Sequence, residues 1–270
     1  MEYITMRNGT KVPMLGLGCY KSEEQEGVEA VKSAIEIGYR HIDTANFYEN
    51  EKYVGRGIRE SGIDREKLFV VSKIWPTSFK TPEVAIEYSM RALNIDYIDM
   101  YLLHWPSQNE YARNHAFETL LKYKEKGYFK EVGVSNFKKE HLEKLKETFG
   151  FYPMMNQIEI SPWLQKKEDY AFCQENDIVM TACVPFAKGN ILNDPKLVEI
   201  AEKHGKNVGQ VILRWNIQRG NCVIPKSSKP HRIADNFNIF DFELDADDMA
   251  VIGTMENGNS YCSDSSVFTG

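Results

Sequence analysis

Gly16-Leu17-Gly18-Cys19-Tyr20-Lys21 is the nearest this chain comes to a Gly-x-Gly-x-x-Gly turn, and lysine stands where the third glycine belongs. An open, doubly wound sheet carries that turn between its first strand and helix, the third glycine allowing the two to pack closely. Gly55-Arg56-Gly57 falls inside a stretch of helical periodicity and fails too. Elsewhere the chain alternates. Apolar runs at 41–42, 68–71, 97–103, 131–134, 156–160, 178–182 and 222–224 read as buried strands. Between them Val28, Val31, Ala34, Ile35 and Ile37, or Ala116, Leu120, Leu121 and Tyr123, recur at helical spacing. Such alternation demands a parallel sheet, open or closed. Polar residues follow the strands at 43, 73, 104, 135, 157, 183 and 226. In a closed barrel the C-terminal strand ends gather on one face, so these distant positions converge. The expected fold is α/β, a (β/α)8 barrel.

Residues 3–6 and 11–14 flank Arg7-Asn8-Gly9-Thr10 and predict an N-terminal β-hairpin closing the barrel's bottom. Asn-Gly there suits a type I′ turn. No linker divides the 270 residues, so one domain is expected over 1–270, ending in a polar tail at 257–270. A net charge of −6 without a basic stripe argues against a nucleic-acid partner. No apolar stretch suits a bilayer, and no secretory leader is expected at the N-terminus. Five dispersed cysteines without a Cys-x-x-Cys pair fit a reducing cytoplasm and give no metal motif.

Four strand-end positions carry proton-handling groups: Asp43, Tyr48 five residues on, Lys73 and His104. Singly each is ordinary. An aspartate after a strand is usually a cap, and a lone tyrosine is usually packing. Together on one barrel face they form a set suited to reducing a carbonyl, which needs hydride at carbon and a proton at oxygen. Tyrosine stays protonated near neutrality, an adjacent ammonium is expected to lower its pKa, and a buried lysine needs a carboxylate to stay charged. His104 can hydrogen-bond the carbonyl oxygen. A barrel hydrolase or isomerase would want a metal cluster or a carboxylate pair, and neither stands out.

Three stretches carry a resemblance: GYRHIDTANFYENEKYVG at 38–55, KEVGVSNF at 130–137 and IPKSSKPHR at 224–232. In these the chain resembles the aldo-keto reductase family, notably its microbial members that reduce small aldehydes and 2,5-diketogluconate. The resemblance implies that Asp43, Tyr48, Lys73 and His104 are a catalytic tetrad and that NADPH/NADP+ binds without a metal. It places the nicotinamide carboxamide on Ser135, Asn136 and Gln157. The 2′-phosphate falls to Lys226, Ser227, Ser228 and Arg232, cations and hydroxyls after the last strand, where barrels commonly bind phosphate. Asn236 takes the adenine. Gly18, Cys19, Tyr20, Asp43, Val184 and Ile224 complete the expected cofactor contacts, and the cofactor's far end passes under Pro185-Phe186-Ala187-Lys188.

Position 183 departs from that pattern, with Cys183 where relatives usually stack an aromatic ring on nicotinamide. Gly133-Val134-Ser135-Asn136-Phe137 lacks the final glycine of a hydrolase elbow, so a serine nucleophile is not expected. Tyr20, Tyr48, Trp75, His104 and Trp105 are the expected substrate contacts, with core packing the competing reading, stronger for Trp105 than for Trp75. The short loop at 106–109 suggests an open pocket for a small carbonyl substrate. The tail either drapes over that pocket or is disordered. A monomer is favoured over an oligomer by the resemblance. The competing functional class is a non-catalytic NADP(H)-binding sensor or structural protein on the same scaffold.

Overall fold

A computed structural model describes residues 1–22 and 24–265. The chain opens with the hairpin β1 (Tyr3–Thr5) and β2 (Lys11–Pro13). Its turn differs from the expected type I′. The Gly9 N–H donates to the Met6 carbonyl at 2.8 Å, and Met6 N–H to Thr10 at 2.9 Å. Gly9 has φ +88° while Asn8 keeps a negative φ, so one residue, not two, enters the left-handed region. The Asn8 side chain explains the choice: its amide donates to Glu131 Oε1 at 2.5 Å, tying the hairpin to the barrel floor. The Arg7 guanidinium donates to the carbonyls of Tyr152, Pro153 and Asp177, and Arg214 holds the Glu2 carboxylate. The hairpin closes the bottom as expected.

Eight parallel strands follow in chain order: β3 (Leu17–Gly18), β4 (His41–Asp43), β5 (Phe69–Ile74), β6 (Ile98–Leu103), β7 (Phe129–Ser135), β8 (Met155–Glu159), β9 (Val179–Cys183) and β10 (Cys222–Val223). Around them run α1 (Glu24–Ile37), α2 (Glu51–Glu60), α3 (Pro82–Leu93), α4 (Glu110–Glu125), α5 (Lys139–Phe149), α6 (Lys167–Glu175), α7 (Pro195–His204), α8 (Val208–Gln218), α9 (Pro230–Phe237) and α10 (Ala246–Gly253). Every residue of β5 and β6 is buried, because helices cover the outer face and side chains fill the inner one. This is why these strands read as continuous apolar runs.

The stretch that failed as a nucleotide turn is the seam of the barrel. Leu15 bridges Val223 and Gly18 bridges Lys226, both in parallel sense. Gly16 N–H donates to the Val223 carbonyl at 2.9 Å and Gly18 N–H to Pro225 at 3.1 Å. A Cβ on Gly18 would stand 2.9 Å from the Ile224 carbonyl oxygen, and one on Gly16 would stand 2.7 Å from His41 Cγ. These glycines let the first and last strands touch. The barrel is closed.

Beyond α10 the chain turns back over the strand ends as a strap. Asn257 and Gly258 N–H both donate to the Trp163 carbonyl, at 3.0 and 3.1 Å. The Glu159 carboxylate at the end of β8 then accepts Ser260 Oγ at 2.8 Å, Tyr261 N–H at 2.9 Å and Cys262 N–H at 2.8 Å. Lys138 pairs with Asp264 at 2.9 Å. Of the tail's two expected courses, the described part follows the first; residues 266–270 of the expected tail lie outside the described residues. No described helix is long and apolar enough to cross a membrane.

Candidate active site

Asp43 closes β4 and Lys73 stands near the end of β5, both inside the barrel. Lys73 Nζ donates to Asp43 Oδ1 at 2.5 Å and to the Thr44 carbonyl at 2.8 Å. Gln157 Nε2 donates to the other carboxylate oxygen at 2.7 Å, so both Asp43 oxygens are held. A short 3₁₀ turn, Asn46–Tyr48, presents the half-buried Tyr48 ring, with Lys73 Nζ 5.1 Å from its centroid. His104, one residue past β6, meets Tyr48 edge to face with centroids 5.5 Å apart. The four proton-handling residues are therefore brought together on one face, from three strands and one turn.

The charge states follow from burial. Burial, and then the Lys73 charge, push His104 well below the usual imidazole range, so it is neutral. Its Nδ1 is buried with no hydrogen-bond partner among the described residues. Burial, and then the Asp43 carboxylate, push the Tyr48 phenol well above 10. This corrects the expectation that Lys73 lowers it. The ammonium is committed to Asp43 and Thr44, so its field at the phenol is largely cancelled and desolvation prevails.

Ser135 and Asn136 sit beside this group. Ser135 Oγ donates to the Gln157 carbonyl at 2.8 Å, and Asn136 Nδ2 to the His104 carbonyl at 2.9 Å. Asn136 adopts φ +63°, which asparagine tolerates better than most residues. Gly18 and Cys19 form the lip between β3 and β4; Cys19 is fully buried and contributes backbone, its N–H bonded to the Asp43 carbonyl at 2.9 Å. After Cys183 the chain takes positive φ at Val184 (+51°), Ala187 (+48°) and Lys188 (+55°). A β-branched residue there stores strain of order 1–3 kcal/mol, a cost met where backbone lines a site.

A groove of about 620 Å³ extends from this segment, lined by Phe186, Lys226, Ser227, Arg232 and Asn236. Its far wall is the N-terminal turn of α9. Lys226 and Arg232 are exposed, and among the described residues neither makes an ion pair. Ser228 borders the same turn. Two unmatched cations, a hydroxyl and a helix N-terminus are a donor set that suits a phosphate monoester.

Tyr20 is half exposed and packs edge-on to Tyr48, with centroids 5.0 Å apart. Trp75 meets His104 edge-on at 5.0 Å and stacks on Phe47 at 3.8 Å. Trp105 differs from the mouth position expected for it. It is 7% exposed and lines a 220 Å³ cavity beneath the strap with Asn136 and Cys262. The strap adds Ser260, Cys262 and Ser265 to the lining of that cavity. Sequence reasoning also missed Phe47 and Glu159. Phe47 lies beside Tyr48 in the turn already singled out. Glu159 is two residues past Gln157, on the same strand face.

The family model for the aldo/keto reductase family matches residues 9–256. Glyoxal reductase of Bacillus subtilis (strain 168) is 45% identical over 258 residues, covering 94% of this chain and 92% of that protein. Methylglyoxal reductase DkgA of Escherichia coli (strain K12) is 35% identical, covering 99% and 98%. Among solved structures, an aldo/keto reductase from Brucella melitensis superposes with a TM-score of 0.91 at 41% identity, covering 94% of this chain and 99% of that one. A variant of Gox0644 in complex with NADPH superposes at 0.94 with 36% identity, covering 99% and 98%. With the barrel, the converging polar set and these likenesses in agreement, the chain belongs to the aldo/keto reductase family and is an oxidoreductase.

Proposed function

We propose that this enzyme reduces small aldehydes and ketones, α-dicarbonyls such as glyoxals foremost, with NADPH. The observation that carries the reading is the buried Lys73–Asp43 pair set under Tyr48 and opposite a neutral His104. The names of the B. subtilis and E. coli relatives support the substrate class, and the NADPH complex of Gox0644 supports the cofactor. The residues fit that cofactor: Ser135, Asn136 and Gln157 would hold its carboxamide, and Lys226, Arg232, Ser227 and Ser228 its 2′-phosphate.

When bound, NADPH supplies hydride to the carbonyl carbon. Tyr48 holds its proton at Oη throughout the neutral range and gives it to the substrate oxygen as that oxygen gains charge. A developing alkoxide is more basic than the phenolate, so the raised Tyr48 pKa does not block the transfer. Asp43 holds Lys73 beneath the Tyr48 ring, and Gln157 in turn holds Asp43. His104 offers a ring N–H to orient the carbonyl. Phe47, Trp75 and Tyr20 give the mouth apolar walls.

Tyr48→Phe tests the assignment, because it removes one oxygen and leaves the packing. With methylglyoxal and a small aromatic aldehyde, kcat should fall by about 10²–10⁴ while NADPH affinity holds. Equal turnover by the two proteins would overturn the role of Tyr48.

A further inference from the structure

Five cysteines are free; Cys19, Cys173 and Cys222 are buried, and Cys183 and Cys262 alone are partly exposed. The strap brings these two together. Glu159 and Cys183 are register partners on adjoining parallel strands, so their side chains leave the same face of the sheet. The strap is clamped to that glutamate by Ser260, Tyr261 and Cys262, which seats Cys262 against the end of β9. Cys262 N–H donates to Glu159, the register partner of Cys183, so the two thiols occupy neighbouring positions at the strand ends.

We propose that Cys183 and Cys262 are an oxidisable thiol pair whose disulfide locks the strap across the nicotinamide end of the cofactor groove. The position of nicotinamide rests on the proposed function; the disulfide itself does not. The oxidant is a hydroperoxide. Cys262, on the strap, reacts first: its thiolate attacks the peroxide oxygen, the O–O bond breaks, and hydrogen peroxide leaves as water. The resulting sulfenic acid is attacked by the Cys183 sulfur, which forms the S–S bond and expels the hydroxyl as a second water with the Cys183 proton. Two thiols are oxidised and one peroxide is reduced to two waters. The neighbouring Cys262 thiol, and then burial, push the Cys183 thiol well above 9, which makes Cys183 the poorer nucleophile toward peroxide. A dithiol reverses the lock.

The purified, reduced enzyme treated with hydrogen peroxide should yield a non-reduced digest in which the peptides holding Cys183 and Cys262 are linked. NADPH binding, read by quenching of protein fluorescence, should weaken by on the order of tenfold and recover with dithiothreitol. Cys262→Ser should bind NADPH as the reduced wild type does and keep that affinity in peroxide. Unlinked peptides after peroxide, or a Cys262→Ser protein as sensitive as wild type, would overturn the proposal. Linked peptides with unchanged NADPH affinity would overturn the lock. Failure of the reduced protein to bind NADPH would instead count against the proposed function, since the digest reads the disulfide without cofactor.

Discussion

Lys73 Nζ and Asp43 Oδ1 stand 2.5 Å apart where neither side chain is more than 2% exposed. Such a pair gains little over a well-packed apolar one, because both charges have left water. Its worth here is protonation control: the carboxylate keeps an ammonium charged in the barrel interior, and Gln157 keeps the carboxylate in place.

Asp43→Asn removes that control. The lysine is left buried without a counter-ion, and breaking one side of such a pair costs about 3–5 kcal/mol. Urea denaturation should show a loss of that size, with turnover reduced as well. A loss below about 1 kcal/mol would mean that Lys73 is not a buried cation.

Glu51 is 1% exposed and accepts Ser72 Oγ at 2.6 Å. Burial, offset in part by that hydrogen bond, raises its carboxyl from 4.5 to about 7. The fold therefore binds this proton more tightly than the unfolded chain does. The contribution is full below pH 4.5 and is lost as pH rises to about 7, beyond which it stays lost. Glu51→Gln should remove this slope and leave the variant more stable than wild type at pH 8, by up to about 3 kcal/mol. Parallel stability–pH curves for the two proteins would refute the assignment.

Arg232→Ala should discriminate between cofactors. Losing a charge-assisted contact to the 2′-phosphate costs about 1.5–3 kcal/mol, roughly tenfold to a hundredfold in Kd for NADPH. NADH, which lacks that phosphate, should bind as before. Calorimetric titration of both cofactors checks this, and equal losses would move the phosphate elsewhere.

Gly18→Ala places a methyl group against the Ile224 carbonyl at 2.9 Å, on the barrel seam. Backbone has to shift, so about 1–3 kcal/mol of stability should go, visible as a lower melting temperature. A variant with wild-type stability would show that the seam relaxes freely.

The parallel barrel was legible because β5 and β6 are buried on both faces and write themselves as apolar runs. β3 was not, because two residues at a glycine-rich seam leave no hydrophobic signature. The convergence of Asp43, Tyr48, Lys73 and His104 followed from strand ends and from the family resemblance, since three are fixed by where a strand stops and Tyr48 by the turn after β4. The phenol's direction did not follow, because proximity of Lys73 says nothing about how fully Asp43 cancels it. The turn type at Asn8-Gly9 was lost to a contact with Glu131, distant in sequence. Glu159 escaped notice because its partners lie in the strap, about a hundred residues on.

The ties beneath the barrel also bear on how the chain folds. Asn8 waits for a partner 123 residues later and Glu2 for one 212 residues later. The hairpin is thus among the last segments to find its place, and the barrel stays unplugged at its base until α8 is in position. Pairings so distant slow folding, because loop closure precedes the contacts that reward it. Until then the hairpin is a loose end whose docking marks the completion of the barrel.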